Sequence, residues 1–586
     1  MASSLFLPSL SPRPSRELLL LAFLAALFIC PLVLAHGAEN PTLAIKVDQV
    51  GYPLDGPKVA FVSAPAQSFA IKRSSDGAVV FHGNLAPPQA DPNTGDQVQA
   101  ADFSSFQKAG TYYLEIPGVG RSWNFAVGKN PFEHTYYLAM RGFYGQRCGT
   151  AVDMGPEFPG FSHPACHTHG EFHPSSGAKG ERDNIGGWHD AGDYGRYMVN
   201  SGITTGTLLW AWEIYGQKLK NIQLKIPESG NGTPDVLNEA RWNLEWMLKM
   251  QDDDGGAWHK QTSEHFSAFV APQDDTLPSE VIGTGSAPYK STCATADLAA
   301  VAAIAARVYK PFDPNFAARA LQAGRRAWGW TEKNPNVTFR NPRGVSTGEY
   351  GDSNCGDERL WAAAELGRTT GEPAFNDFFL MNYAQFLPTL DSPPAESWSQ
   401  VAPMAFWTYA LSNQEGIDPK AVDAIRQRTL AAAHAVVERT RANPYRISMQ
   451  AKDYVWGSNG VAAGYGMYLL IANVFSPDAS FTDAARDNLH YLLGRNTFSL
   501  SWVTQVGENP FQHPHHRPSG SKQGAPWPGL LSGGPNAGRQ DAVLAALPRD
   551  LPPAKVYADQ LASYASNEIC INWQASLVFL LAGELH

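Results

Sequence analysis

Residues 185–200 read IGGWHDAGDYGRYMVN, and within them two carboxylates, a histidine and a tryptophan stand among glycines that leave the backbone free to turn. Asp190 and Asp193 are three residues apart with Gly192 between them, so both side chains can face one small volume. There, mutual repulsion and a shared water would tune the pair for proton transfer. A helix N-cap region, where Asp is common, would produce the same residues for a purely structural reason.

A third acid stands far downstream. Glu568 lies beside Asn567, after Tyr564, at the expected start of the last apolar helix. Apolar and aromatic neighbours would raise its pKa by desolvation, as a general acid needs at neutral pH, whereas a helix N-terminus would lower it. A first-turn Glu that complements the helix dipole is the structural alternative. Between these stretches, NPFQHPHHRPSG places His513, His515, His516 and Arg517 in one run. Pro514 imposes an extended path that points neighbouring rings apart, which suits donors for ligand hydroxyls better than a metal site.

The chemistry-bearing stretches need elements to hold them. From residue 43 to about 127, IKVDQVGY, KVAFVS, FAIKR, VVFHG, GTYYLEIP and WNFAV alternate or cluster β-branched and aromatic residues between Gly, Pro and Asp turns. This predicts a small immunoglobulin-like sandwich over residues 40–128. From residue 129 to 586 the period changes from two to about 3.6, with twelve helices centred near residues 140, 208, 243, 300, 322, 364, 380, 405, 428, 466, 486 and 577. Six helical hairpins in a ring would use that number; the count alone leaves a closed barrel and an open solenoid both standing. The longest loops, 149–192, 252–290 and 503–554, are dense in His, Asp, Trp and Gly, and long loops in helical domains usually carry function.

Composition bounds the function. The 586-residue chain has a formal net charge of -10 and no basic run, which excludes the electrostatic footprint of a nucleic-acid partner. Only 17% of residues are charged against 16 Trp, 21 Tyr and 29 Phe, which suits aromatic faces offered to a neutral, hydroxyl-rich ligand and equally suits aromatic cores. Arg13 and Arg16 precede an apolar run from Leu18 to Ala35, the pattern of a secretory signal over residues 1–35. A secreted or periplasmic protein, free of the membrane after cleavage, is expected; an uncleaved anchor is the alternative. Loss of Cys30 with the leader leaves Cys148, Cys166, Cys293, Cys355 and Cys570, enough for a pair or two or a metal site but not for a disulfide framework.

Three motifs in order resemble the family 9 glycoside hydrolases of the cellulase-like group with an N-terminal immunoglobulin-like domain: WHDAGDYGRY at Trp188–Tyr197, a run from Ser501 to Arg517 ending in PHHR, and Y-x-D-x4-Y-x-x-N-E from Tyr557 to Glu568. VDQVGYPLDGPKVAFV resembles the start of that family's first domain. The resemblance covers nearly all of the mature chain. It implies a mainly α fold, an (α/α)6 barrel behind the sandwich, and inverting hydrolysis of β-1,4-glucosidic bonds in cellulose or related β-glucans, as in an endoglucanase. By position, Asp193 matches the general base, Asp190 its partner on the same water, and Glu568 the general acid; His515 and Arg517 match a substrate-binding pair, and Tyr564 lies in the acid motif. An inverting pair stands about 6.5–9.5 Å apart to leave room for water, which requires different loops. Cys570 and Gln574 depart from the family's usual small residue and Asn, which leaves helix packing behind Glu568 and substrate preference open.

The resemblance also implies a structural zinc on Cys148, Cys166, His167 and His189, a closed Cys2His2 set; a Cys148–Cys166 disulfide is the alternative. GDSNCGDERLW, with Asp352, Ser353, Asp357 and Glu358, resembles a calcium loop of the family, while an acid-rich helix start explains the same residues. Trp456 in DYVWGSNG is the leading candidate for stacking on sugar rings, with Trp258 and Trp398 behind it. Exo action on cello-oligosaccharides, as by a cellodextrinase or glucosidase, would follow if the 252–290 loop closed one cleft end. A noncatalytic glucan-binding protein is the remaining alternative class. The expected partner is a β-1,4-glucan or cello-oligosaccharide, and a monomer is expected.

Overall fold

From residue 133 onward the long helices alternate between an inner ring, in which neighbours pack on one another, and an outer layer that backs it. In the computed structural model, which describes residues 40–394 and 396–586, every expected helix centre falls inside a helix. The signal assigned to residues 1–35 lies outside the described residues. The helices are α1 Glu133–Gly145, α2 Met198–Leu219, α3 Asp235–Lys249, α4 Thr292–Val308, α5 Pro314–Lys333, α6 Gly356–Thr370, α7 Pro373–Asn382, α8 Ala402–Ala410, α9 Pro419–Ala442, α10 Ser458–Phe475, α11 Ala479–Leu492 and α12 Ile571–Glu584. The even-numbered helices form the inner ring. α2 packs on α4 and α12, α4 on α6, α6 on α8, and α10 on α12, each backed by an outer helix.

Sequence decides the ring. Every residue of α4 except Arg307 is buried, as expected of a helix apolar on all sides. α5 buries Phe316, Ala320, Ala323, Ala327 and Trp330 at helical spacing and turns Arg319 and Arg326 outward. Asp313, Asp418 and Asp478 cap α5, α9 and α11 by accepting backbone N–H bonds. The inner helices run in one direction. Their C-terminal halves meet at buried Glu365 of α6, which accepts from Trp210 Nε1 of α2 at 3.1 Å and Trp361 Nε1 at 3.2 Å and pairs with Arg307 of α4. At the other end, Cys293 in the first turn of α4 is disulfide-bonded to Cys355 just ahead of α6. That N-terminal end receives the long loops.

The N-terminal domain is a sandwich. One sheet runs Ile45–Lys46, Val59–Val62, Gln97–Asp102, Gln89–Ala90; the other runs Gly51–Pro53, Phe125–Gly128, Gly110–Ile116, Ser68–Arg73, Val79–Asn84. Tyr52, Val62, Ile71, Phe103, Leu114 and Phe125 lie in its core. Gln97–Asp102 is a strand the pattern did not single out, because QVQAAD is poor in β-branched and aromatic residues; its pairing with Val59–Val62 supplies the order.

The two domains are joined through the segment that leads into the histidine run. Gln49 Oε1 accepts from the amides of Glu508 at 3.0 Å and Asn509 at 2.7 Å, and its Nε2 donates to Ser499 O at 2.9 Å. Beside it, Asp48 Oδ2 lies 2.7 Å from His490 Nδ1 of α11. Burial raises the carboxyl and lowers the imidazole. Gln49→Ala leaves the Glu508 and Asn509 N–H groups without partners and is expected to cost about 2 kcal/mol, read as a lower midpoint in denaturant unfolding, with a loss of activity through the displaced 499–509 segment.

Candidate active site

Each candidate group sits in a segment just ahead of an inner helix: Asp190 and Asp193 before α2, Tyr350 before α6, Trp398 before α8, Trp456 before α10, Glu568 before α12. The loops therefore converge over one end of the barrel. Their meeting point is the Gly192 peptide. Its carbonyl accepts from Arg517 N at 3.0 Å and Arg517 Nη1 at 2.8 Å, and its N–H donates to Glu568 Oε1 at 3.3 Å. A Cβ on residue 192 would stand 2.1 Å from His515 O, so only glycine admits the histidine run at this distance. Asp190 and Asp193 flank this peptide and Glu568 faces it. The structure thus brings together all three acids and the His515–Arg517 pair.

Glu568 is not in the helix. It is extended, with φ -70° and ψ 154°, three residues ahead of α12, and bridges His515 in parallel register. The dipole that would have lowered its pKa is not at its carboxyl. Burial, with the Asp193 charge facing it, pushes Glu568 well above the usual glutamate range, against the Gly192 N–H bond. Asp190 is buried and receives Asn200 Nδ2 and the Tyr350 hydroxyl, each at 2.6 Å. Burial and the neighbouring Asp193 push it up to about 7. Asp193 Oδ2 receives Tyr197 OH at 2.9 Å and the Gly195 N–H at 3.1 Å. Asn200, Tyr350 and Cys570, whose Sγ is 3.9 Å from Asp190 Oδ2, had no sequence signal; Tyr350 is 160 residues from the acid it serves.

The histidines divide by task. His515 Nδ1 donates to Leu561 O at 2.7 Å, and burial lowers its pKa, so a neutral ring is presented with Nε2 as its remaining polar atom. His516 is structural: Nδ1 is 2.9 Å from Ser519 Oγ and Nε2 is 2.8 Å from Gln146 Oε1, while Gln146 Nε2 donates to the carbonyls of His189 and Ala191. His513 points outward. Asp559 accepts from the amides of Gln512 and His513 at 2.7 and 2.8 Å, which explains its place in the acid motif. Arg517 is buried, with Nε on Ser267 O at 2.8 Å and its guanidinium near Phe266 and Phe269, so the 252–290 loop forms one wall.

The aromatic candidates separate as well. Trp456 is 40% exposed with its ring centroid 5.4 Å from that of Tyr564, itself 38% exposed, giving an open aromatic face beside His515. Trp398 is half-buried and meets Tyr350 edge-on. Trp258 is not a platform: it is buried, its Nε1 donates to Ser176 O at 3.0 Å, and Arg182 covers its face.

Two clusters fit cations. Cys148, Cys166, His167 and His189 bring one donor atom each within 4.8 Å of one another. Both cysteines are free, so the alternative disulfide is not formed. His167 Nδ1 and His189 Nδ1 are buried without a partner, and His167 Nε2 lies 3.3 Å from Asp275 Oδ2, the carboxylate support that metal-ligating histidines commonly have. At the start of α6, both carboxylate oxygens of Glu358 in its first turn and Oδ2 of Asp352 just ahead of it are buried and unpartnered, Asp357 accepts from Val401 N, and Ser353 is exposed. Asp297 of α4, which the sequence reading missed, adds two more unpartnered buried oxygens. Uncompensated carboxylates at this depth are costly and match oxygen ligands for a hard cation.

A double ring of helices with three acids meeting over its N-terminal end defines a barrel glycosidase. The glycosyl hydrolase family 9 model matches residues 132–581, and the cellulase N-terminal ig-like domain model matches residues 40–121. The chain belongs to glycosyl hydrolase family 9. Endoglucanase D of Acetivibrio thermocellus is 36% identical over 92% of this chain and 83% of its own. A xyloglucan-specific endo-beta-1,4-glucanase of Bacteroides ovatus is 33% identical over 92% and 93%. The crystal structure of a Zn-binding triple mutant of the family 9 endoglucanase J30 superposes with a TM-score of 0.85 at 32% identity, covering 91% of this chain and all of that one.

Gly192→Ala tests the junction. The added methyl must push the histidine run from the acids, and kcat is expected to fall on the order of 100-fold while the circular dichroism spectrum of the helices is kept.

Proposed function

We propose that the protein hydrolyses internal β-1,4-glucosidic bonds of cellulose or related β-glucans by single displacement with inversion. The placement of Glu568 across the Gly192 peptide from the two aspartates carries this reading, and the endoglucanases among its relatives support it. Glu568, kept protonated by its surroundings, gives its proton to the glycosidic oxygen as the bond to C1 breaks. Asp193 takes a proton from the water that attacks C1 from the opposite face, and Asp190, fixed by Tyr350 and Asn200, holds that water. Two protons move and one water is consumed; exchange with solvent then returns the proton from Asp193 and restores Glu568. His515 and Arg517 bind hydroxyls, and Trp456 with Tyr564 stacks on a sugar ring.

Two ions complete the proposal, neither in the reaction. Zinc suits the two thiols and two imidazoles and leaves no open position, so it fastens His189, and with it Asp190, to the Cys166 loop. Calcium suits the oxygen cluster of Asp352, Ser353, Asp357 and Glu358, with Asp297 beneath it. Export is supported by the residues 1–35 pattern, and the enzyme acts as a monomer outside the cytoplasm.

Glu568→Gln and Asp193→Asn are each expected to lower kcat at least about 1000-fold with an unchanged melting temperature, and proton NMR of a cello-oligosaccharide digest should show the α-anomer forming first. A raised Glu568 pKa keeps the acid protonated as pH rises, so the basic limb of kcat/KM should lie well above the ordinary glutamate range. Activity surviving in folded Asp193→Asn would refute the assignment, and release of single terminal units would refute internal cleavage. Atomic absorption should find one zinc per chain in the native protein and none in Cys166→Ser, with the chelated protein melting several degrees lower.

A further inference from the structure

Asp193 shares one volume with Asp190 and Glu568, and a proton-accepting carboxylate there must be held in one orientation. One cation of the site is the Arg517 guanidinium, bonded through Nε and Nη1 to Ser267 O and Gly192 O. The buried cation on the other side is Lys260. The strand Lys260–Thr262 pairs antiparallel with Arg196–Tyr197, in the register Tyr197↔Lys260, so the lysine and the tyrosine that bonds Asp193 stand opposite each other on one face.

Lys260 has no carboxylate partner within bonding distance. Its Nζ donates to Asn341 Oδ1 at 2.7 Å, Gly348 O at 2.8 Å and Thr347 Oγ1 at 3.0 Å, with Thr347 O at 3.3 Å. Two carbonyl oxygens and a hydroxyl oxygen match the three protons of an ammonium. The cage fixes the 341–348 segment. From there a chain of bonds leads back to the acid: Gly348 N–H donates to Tyr197 OH at 3.1 Å, and Tyr197 OH donates to Asp193 Oδ2 at 2.9 Å. A Cβ on residue 348 would lie 3.1 Å from the Tyr197 ring, so a glycine there permits the approach.

We propose that Lys260 is the positioning residue of Asp193: its buried ammonium anchors Gly348, whose N–H occupies the Tyr197 oxygen and so aims the phenolic proton at the carboxylate, while its positive charge favours the ionised form. The proposal rests on the reading of Asp193 as the base. The groups that face this pair are Asp190 and Tyr197 from its own segment, Glu568, His515 and Arg517 from the C-terminal loops, and Glu349 and His259 on the far side of the lysine. Burial lowers Lys260 to about 7, opposed by the charges of Asp193 and Glu349. The ammonium is therefore present in the acidic range, where the base most needs it.

The test compares the full-length enzyme with Lys260→Met, Tyr197→Phe and Asp193→Asn on a soluble β-glucan across pH, with melting temperatures measured alongside. Lys260→Met is expected to lower kcat roughly 10- to 100-fold with KM changed less than about threefold. It should also move the acid limb of kcat/KM up by about one pH unit, because a charge that favoured the carboxylate is gone. Tyr197→Phe should move the limb the same way. A folded Lys260→Met with an unmoved acid limb, or a loss wholly in KM, overturns the proposal. If Lys260→Met does not fold, Tyr197→Phe decides, since it leaves the lysine cage intact and removes only the link to Asp193; an unmoved limb there overturns the relay. Full activity in Asp193→Asn would instead remove the base assignment, whatever the lysine variants do.

Discussion

One peptide unit holds the chemistry together. The carbonyl of Gly192 takes two bonds from Arg517, its N–H reaches Glu568, and its missing side chain admits His515 O. Two C-terminal stretches are thereby placed against one that lies 325 and 376 residues earlier, by contacts to main chain, which cannot change rotamer. The acids gain an orientation that side-chain contacts alone would leave loose. The arrangement needs both flanks fixed, and the surroundings supply this: the Asp190 carbonyl accepts from the first amide of α12 at 2.9 Å, and Gln146 links His516 to the carbonyls at 189 and 191.

The barrel stabilises this junction by a division of labour between its two ends. At one end the C-terminal halves of α2, α4, α6 and α8 close on Glu365 and Arg307, a pair whose remaining bonds are met by two indoles and Thr408 on the carboxylate and by Glu213 and Thr369 on the guanidinium. At the other end the loops bring buried polar groups whose bonds are not all met by protein: the imidazoles beside the free thiols and the carboxylates at the start of α6. Unmet polarity of that kind suits a bound cation, and satisfied polarity suits a wall that only has to hold.

Much of this was legible in the chain because it is written in local pattern. α4 and α12 announce themselves by their apolar runs, α5 by its period, and the candidate acids Asp190 and Asp193 by glycines and aromatics that are costly in ordinary loops. What was not legible depends on which distant segments meet. QVQAAD becomes a strand only because Val59–Val62 is beside it. Tyr350 reaches Asp190, and Asp297 joins the cluster at the start of α6, through the ring's closure rather than any spacing. The pairing of Cys293 with Cys355 likewise follows from adjacent inner helices. Trp258 illustrates the reverse error: a tryptophan in a loop rich in polar residues looks available, yet the small sheet formed by Lys260–Thr262 and Glu280–Ile282 draws it inside.

The junction between the domains has a consequence for how such a chain can diverge. Gln49 contributes a side chain, whereas the residues it grips, Ser499, Glu508 and Asn509, contribute only backbone carbonyl and amide groups. Around that grip the docking does read side chains: Glu508 accepts from the Asn124 amide groups, Ser499 Oγ donates to Ile45 O, and Asp96 receives Thr497, Tyr445 and Lys555. Positions 508 and 509 differ in this respect, since Glu508 is held by its side chain as well as its amide and Asn509 meets the sandwich through its amide, so change on the way to the cleft is tied to the sandwich at some positions and free of it at others.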